Sequence, residues 1–241
     1  HSWRLLTPAE RSILRQLSVF RGGFTRQAAQ SVAGASLSDL ANLADASWLR
    51  LGRSEHYAIH ELSRQYCLEK LEDEHLAETG ESDNQVRQRH AAYYQSLLVA
   101  RWEDFFRRQG AIAETTPDMG NLLAAWDWAL LHDHLATVWA LSNGLGFMAD
   151  RQGQNQAIAR VFEIGLERLR ADQVAARGGP EQHRARAAVL VALLANQCER
   201  LCRIGQLEGA QACLTEADAL LGDGEVGDAR WVEARWFHGR M

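Results

Sequence analysis

Lysine is nearly missing from this sequence. Lys70 stands alone, although lysine and arginine together number 26. A nucleotide-binding loop of the form GxxxxGK[ST] needs a lysine beside a glycine, because that ammonium reaches the β- and γ-phosphates. Lys70 lies in "LEKLED", with no glycine near it. The chain therefore contains no such loop. Proline is also scarce, with 3 residues, and each reads as punctuation between helices. Positive charge is not in excess. The net charge is −5, so no global basic field exists to hold nucleic acid or an anionic membrane. No apolar run approaches the roughly 18–20 residues that a membrane-crossing helix needs.

Cysteine is limited to Cys67, Cys198, Cys202 and Cys213, all in helical settings. Nothing resembles a disulfide framework, which reads as reduced thiols in a cytoplasm. Cys198 and Cys202 are four apart and can face one way on a helix. A metal site there needs two more ligands, and Cys213 alone is close in sequence, so the three read as small packing residues. His132 and His134 are two apart, on different faces of a helix, and do not make a metal pair. No HExxH, GxSxG or Cys–His constellation stands in a suitable context. The sequence thus assigns no catalytic residue and no metal ligand, and the chain reads as a non-enzyme.

Helical periodicity is what the sequence does have. "TPAERSILRQLSVF" opens with a capping box (Thr7, Glu10) and Pro8 at the first helical position. Ile13, Leu14, Leu17 and Phe20 form its apolar stripe. "RGGF" (21–24) ends it. "TRQAAQSVAG" is a second helix. "SLSDLANLADASWL" is a third, with Leu37, Leu40, Leu43 and Leu49 inward. "LRLGRSEHYAIH" reads as two strands about a turn. "ELSRQYCLEKLEDEHLAE" is again helical, with Leu62, Tyr66, Leu68 and Leu71 on or near one face. Helix, helix, helix, strand, strand is the order of a winged-helix domain, placed at 1–80.

A purely helical remainder follows, 81–241, with helices near 83–109, 119–132, 135–150, 154–171, 181–204, 207–221 and from 228 onward. In "LLANQCERLCRIGQLEGAQACLTEADALL", Gly205, Ala210, Leu214 and Ala217 resemble the tetratricopeptide pattern, in which small residues let two helices approach closely. Gly153, Ala157 and Phe162 give a looser version. Most of Trp102, Trp126, Trp128, Trp139, Trp231 and Trp236 read as core between stacked helices. The fold class is mainly α: a small winged helix, then a tetratricopeptide-like solenoid. The chain opens without a methionine, and "RWVEARWFHGRM" is still helical where it stops. Both ends read as cuts in a longer cytoplasmic protein.

"LTPAERSILRQLSVFRGGFTRQAAQSVAG", "LADASWLR", "YAIHELSRQYCLEKL" and "DMGNLLAAWDWALLHDH" occur in a fixed order over more than half the chain. In this order they resemble the region after the nucleotide-binding core of signal-transduction ATPases with numerous domains. That family includes bacterial transcriptional activators. Asn121, Leu122 and Trp128 are in register with the start of the family's helical arm. The resemblance implies ATP or ADP bound by an upstream nucleotide-binding domain of the same chain. It also implies a protein or small-molecule inducer on the arm. At the strand-to-helix joint the family has Met-His-Asp, whose histidine reaches the β-phosphate of ADP. The matching residues are Ile59, His60 and Glu61. The resemblance makes His60 a candidate ADP contact in the full-length protein. A helix N-terminus carries a positive local potential that suits a phosphate. The other reading of His60 is a histidine bonded to the adjacent strands or to the wing, with His56 solvent-facing on the turn.

Two other function classes stay open. A DNA-binding regulator would place the third helix in the major groove. That helix offers Asp39 and Asp45, with Arg50 at its end and Arg53 in the wing, which is little for phosphates. A helical-repeat scaffold without a switch is the other. The missing phosphate loop generates a direct test. Calorimetric titration of this chain with ATP or ADP should show no binding tighter than about 1 μM; a stoichiometric complex tighter than that would refute the reading.

Overall fold

The computed structural model describes residues 2–52, 56–79, 82–175 and 179–222. Over these residues the chain is mainly α-helical, with a small antiparallel sheet. It divides into two compact units, His1–Trp128 and Ala129–Met241. No helix among the described residues is long and apolar enough to cross a membrane.

In the first unit, α1 (Pro8–Leu17) starts at the expected capping box, with Thr7 and Glu10 bonding each other's backbone N–H groups. A second capping box, Ser36 with Asp39, starts α3 (Leu37–Asp45). Between them α2 (Arg26–Ala33) ends at Gly34, whose φ of 64° is the left-handed conformation that glycine adopts at least cost. The strands β2 (Leu49–Leu51) and β3 (Tyr57–Ile59) pair antiparallel as the sequence predicts. The sequence does not reveal β1 (Gly23–Phe24). It pairs with β3 from the other side, so the hairpin becomes a three-stranded sheet in the order β1-β3-β2. The tip of the turn, including Arg53, lies outside the described residues.

Two predicted faces need correction. Leu40, Leu43 and Leu49 are buried, but Leu37 is 54% exposed. A spacing of three residues drifts 60° per step around a helix, so Leu37 and Leu43 lie about 120° apart. On α4 (Glu61–Thr79), Leu62 and Tyr66 face out, while Arg64, Cys67 and Leu71 are buried. The inward face is set by an arginine and a cysteine, which an apolar pattern does not count.

The long helix predicted at 83–109 is shorter and broken. It resolves into α5 (Asp83–Arg101), α6 (Asp104–Arg107) and α7 (Ala111–Thr115), with Gly110 at φ 93° before α7. Helix α5 packs on α2, and α8 (Met119–Leu131) closes the unit and runs on into the next. Trp126 and Trp128 are core, as read; Trp102 is 37% exposed at the end of α5. Trp231, Trp236 and the helix read from 228 onward lie outside the described residues.

The second unit comprises α9 (Leu135–Gln152), α10 (Asn155–Val174), α11 (Pro180–Arg203) and α12 (Leu207–Gly222). Helix α11 is its centre, packing on the other three. Its turn into α12 uses Gly205 at φ 79°, and Ala210 and Ala217 are buried as predicted. In the preceding pair Phe162 is buried but Ala157 is exposed; Ile158 and Ala159 take the inward places. The α9–α11 seam is polar. Asn143 and Asn196 bond at 3.1 Å, Asp150 and Arg203 at 2.7 Å, and Asp133 and Arg186 at 2.6 Å. Gly146 permits this closeness: a Cβ there would stand 2.6 Å from Arg200 Nη1 and 2.8 Å from Asn196 Oδ1.

The burial pattern of α3 has a direct consequence. Leu43→Ala should cost about 2–5 kcal/mol, and Leu37→Ala under about 0.5 kcal/mol, in denaturant unfolding. Equal losses would mean that Leu37 is packed.

Candidate functional site

His60 is the residue between the last position of β3 and the first of α4. Its carbonyl accepts the Arg64 N–H at 2.8 Å, closing the first helical turn. Its imidazole is exposed and has no hydrogen-bond partner among the described residues. A bond to the adjacent strands, one alternative read from sequence, is not made among the described residues; the tip of the wing, the other, lies outside them.

The neighbouring Glu61 is held firmly. Arg64 donates to both its carboxylate oxygens, at 2.9 Å from Nε and 2.7 Å from Nη2, and Gln65 adds a third bond at 3.1 Å. The Arg64 hydrogen bonds are the largest cause that brings the Glu61 carboxyl down to about 2. Arg64 is itself buried, and its Nη1 donates to the Ser18 carbonyl at 3.1 Å. Arg21 is close enough to feel Arg64, Glu61, Arg87 and Asp127, and its pKa is lowered by burial first and by Arg64 next. The Glu61 end of this corner therefore lies within reach of the Arg64 and Arg21 guanidiniums, and its carboxylate is committed to Arg64.

His56 differs from its sequence reading. It is not solvent-facing: its side chain is 13% exposed and its Nε2 lies 3.9 Å from Asp118. Asp118 also accepts from the Tyr94 hydroxyl at 3.2 Å, and burial raises its pKa.

A second cluster links three distant segments. Asn121 Oδ1 accepts the Arg21 backbone N–H at 2.6 Å, and Asn121 Nδ2 donates to the Gly23 carbonyl at 2.8 Å. His90 Nε2 lies 3.4 Å from the same Oδ1. Gly120 is needed for the approach, since a Cβ would stand 2.7 Å from the Arg21 carbonyl oxygen. Phe20 stacks on Phe24 at 4.5 Å and meets His90 edge-on at 5.2 Å. The sequence placed Asn121 at the start of the arm; it gave no sign that this amide grips the "RGGF" turn.

The face proposed for DNA is poor in charge of the right sign. Helix α3 carries no lysine or arginine, and Asp39 is spent on its cap. Arg50 is exposed on β2. No group of three or more His, Cys, Asp or Glu among the described residues could hold a metal ion.

No family model matches the chain, and no solved structure matches it. It is 33% identical, over 157 residues, to proteins of Mycobacterium bovis and of two Mycobacterium tuberculosis strains whose names describe them as HTH-type transcriptional regulators. The match covers 60% of this chain but 17% of each relative, so the chain spans a small part of their length.

His90 gives this unit a pH dependence. Burial is the main cause that pulls its pKa down from 6.5 to about 4, against the opposing Asn121 hydrogen bond. The folded state holds it neutral, so its contribution is complete above the unfolded pKa and is lost as pH falls toward 4. From pH 7 to 5 the loss should be roughly 2 kcal/mol. Asp118 acts with opposite sign, because its raised pKa favours the protonated form in the folded state. Melting curves of wild type and His90→Gln at both pH values measure the difference. If both lose the same stability on acidification, His90 does not carry the effect.

Proposed function

We propose that the chain is the regulatory piece of a nucleotide-switched signalling protein that controls transcription. In this reading residues 1–80 are a winged-helix domain and residues 81–241 a tetratricopeptide-like arm. The observation that carries it is the exposed imidazole of His60, without a protein partner among the described residues, at the N-terminus of a 19-residue helix whose first turn carries Glu61 and Arg64, with Arg21 within electrostatic reach of both. A helix N-terminus with nearby guanidiniums suits a phosphate oxygen. The phosphate would belong to ADP in a nucleotide-binding domain elsewhere in the full-length protein.

The Asn121 cluster supplies the coupling. Arg21 is on the turn that Asn121 holds, and Asn121 is on α8, the helix in which the first unit ends and the second begins. A change at the His60 corner would reach the arm through that turn. The arm would bind a protein or small inducer, and its occupancy would bias the closed–open equilibrium by its difference in affinity for the two states. The names of the mycobacterial relatives support the regulatory class and also a second reading, direct DNA binding. The outer face of α3, which carries Asp39 and Asp45 and no lysine or arginine, weighs against the second.

His60→Ala tests the switch. A hydrogen bond to a charged group contributes about 1.5–3 kcal/mol. Losing one made only in the closed state should raise the open population roughly tenfold to a hundredfold, read as faster nucleotide exchange in the full-length protein. The melting temperature of the present chain should be unchanged, because the imidazole is exposed. A steep fall in melting with unchanged exchange would make His60 a structural residue.

A further inference from the structure

Three of the four cysteines meet in the α11–α12 hairpin. Cys198 and Cys202 are one turn apart on α11, and Cys213 is on α12, which packs along it. Cys198 and Cys213 are buried, and Cys202 is exposed. The Cys198 thiol is within electrostatic reach of both Cys202 and Cys213. No third ligand completes a metal-holding group among the described residues, so the unit to consider is the pair on α11.

That pair is badly placed for a disulfide. An intact helix keeps the Cβ atoms of residues four apart about 5–6 Å from each other. A disulfide needs them at about 3.5–4.5 Å, with sulfurs about 2.05 Å apart. A soft atom bonded to both sulfurs removes the conflict. With bonds of about 2.3 Å, the length of a zinc–thiolate bond, it holds the two sulfurs well apart and leaves the helix intact. Access is provided by position. Cys202 is in the last turn of α11, just before the Gly205 turn, so its exposed thiol can react first. Cys198 then reacts within the same molecule, at the high effective concentration that one helical turn imposes.

We propose that Cys198 and Cys202 form a binding site for a trivalent arsenical, which bridges the two sulfurs across one turn of α11. The chemistry is a condensation with no change of oxidation state. For an organoarsenic(III) oxide, two As–S bonds form, the bonds between arsenic and oxygen break, and the two thiol protons leave on that oxygen as one water. The site is independent of the nucleotide-switch reading and stands or falls without it.

Phenylarsine oxide is the probe, with adducts on the whole chain read by intact-protein mass spectrometry. One equivalent should add with loss of one water. Release by 2-mercaptoethanol should need about tenfold more monothiol, or beyond, than release from Cys202→Ser, whereas 2,3-dimercaptopropanol should strip it readily. Cys202→Ser changes an exposed side chain, so an unaltered melting curve will show that the loss is chemical. Cys198→Ala should lose the monothiol-resistant adduct too, and Cys67→Ala and Cys213→Ser should keep it. An adduct released equally easily from wild type and Cys202→Ser would overturn the proposal. So would one that survives Cys198→Ala but not Cys213→Ser, since the bridge would then join two helices.

Discussion

One side-chain amide holds the first unit together. Asn121 satisfies the Arg21 N–H and the Gly23 carbonyl, backbone groups 100 and 98 residues away in sequence. These groups are in the turn where α1 ends, with Gly22 at φ 88°, and neither can find a helical partner there. A buried backbone group left without a partner costs about 1–3 kcal/mol. A turn of this kind is therefore stable only where some distant residue brings both a donor and an acceptor. An asparagine amide does so with one planar group. Gly120 lets it come close enough, and the buried aromatic pair Phe20 and Phe24 flanks the turn it holds.

The scarcity of lysine makes sense in this setting. Arg15, Arg64, Arg186 and Arg200 are all buried to 4% exposure or less. A guanidinium can divide its fork of donors between a carboxylate and a carbonyl, as Arg64 does with Glu61 and Ser18. Arg89 likewise reaches the Val32 carbonyl at 2.8 Å and Gln16 at 2.9 Å, tying α5 to α1 and α2. A lysine has one compact, strongly hydrated charge and would pay more to be buried at these places. The arginines are internal ties as much as surface charge, which is why their number does not signal a nucleic-acid face.

The second unit uses the same device between helices. Gly146 removes a side chain from α9 so that Asn196 and Arg200 of α11 can lie against its backbone. Asn143, Asp150 and Asp133 then meet partners along the seam. Polar seams of this kind fix register more sharply than apolar ones, because a slipped helix leaves several groups without partners.

Sequence by itself determined the local events. Caps at Thr7 and Ser36, the stop at Gly34, the paired strands at 49–51 and 57–59, and the helix limits between residues 119 and 222 follow from interactions between residues a few positions apart. The joint that carries His60 was legible for the same reason. Tertiary structure decided what depended on distant partners. It set the added strand β1, the inward turn of Arg64 in place of Leu62, the half-burial of His56 and burial of His90, and the grip of Asn121 on a turn 98 residues back. Each of these is settled by which polar group can be paired after the chain has folded. Hydrophobic periodicity carries no record of that, because a partnered arginine and an exposed one are the same letter.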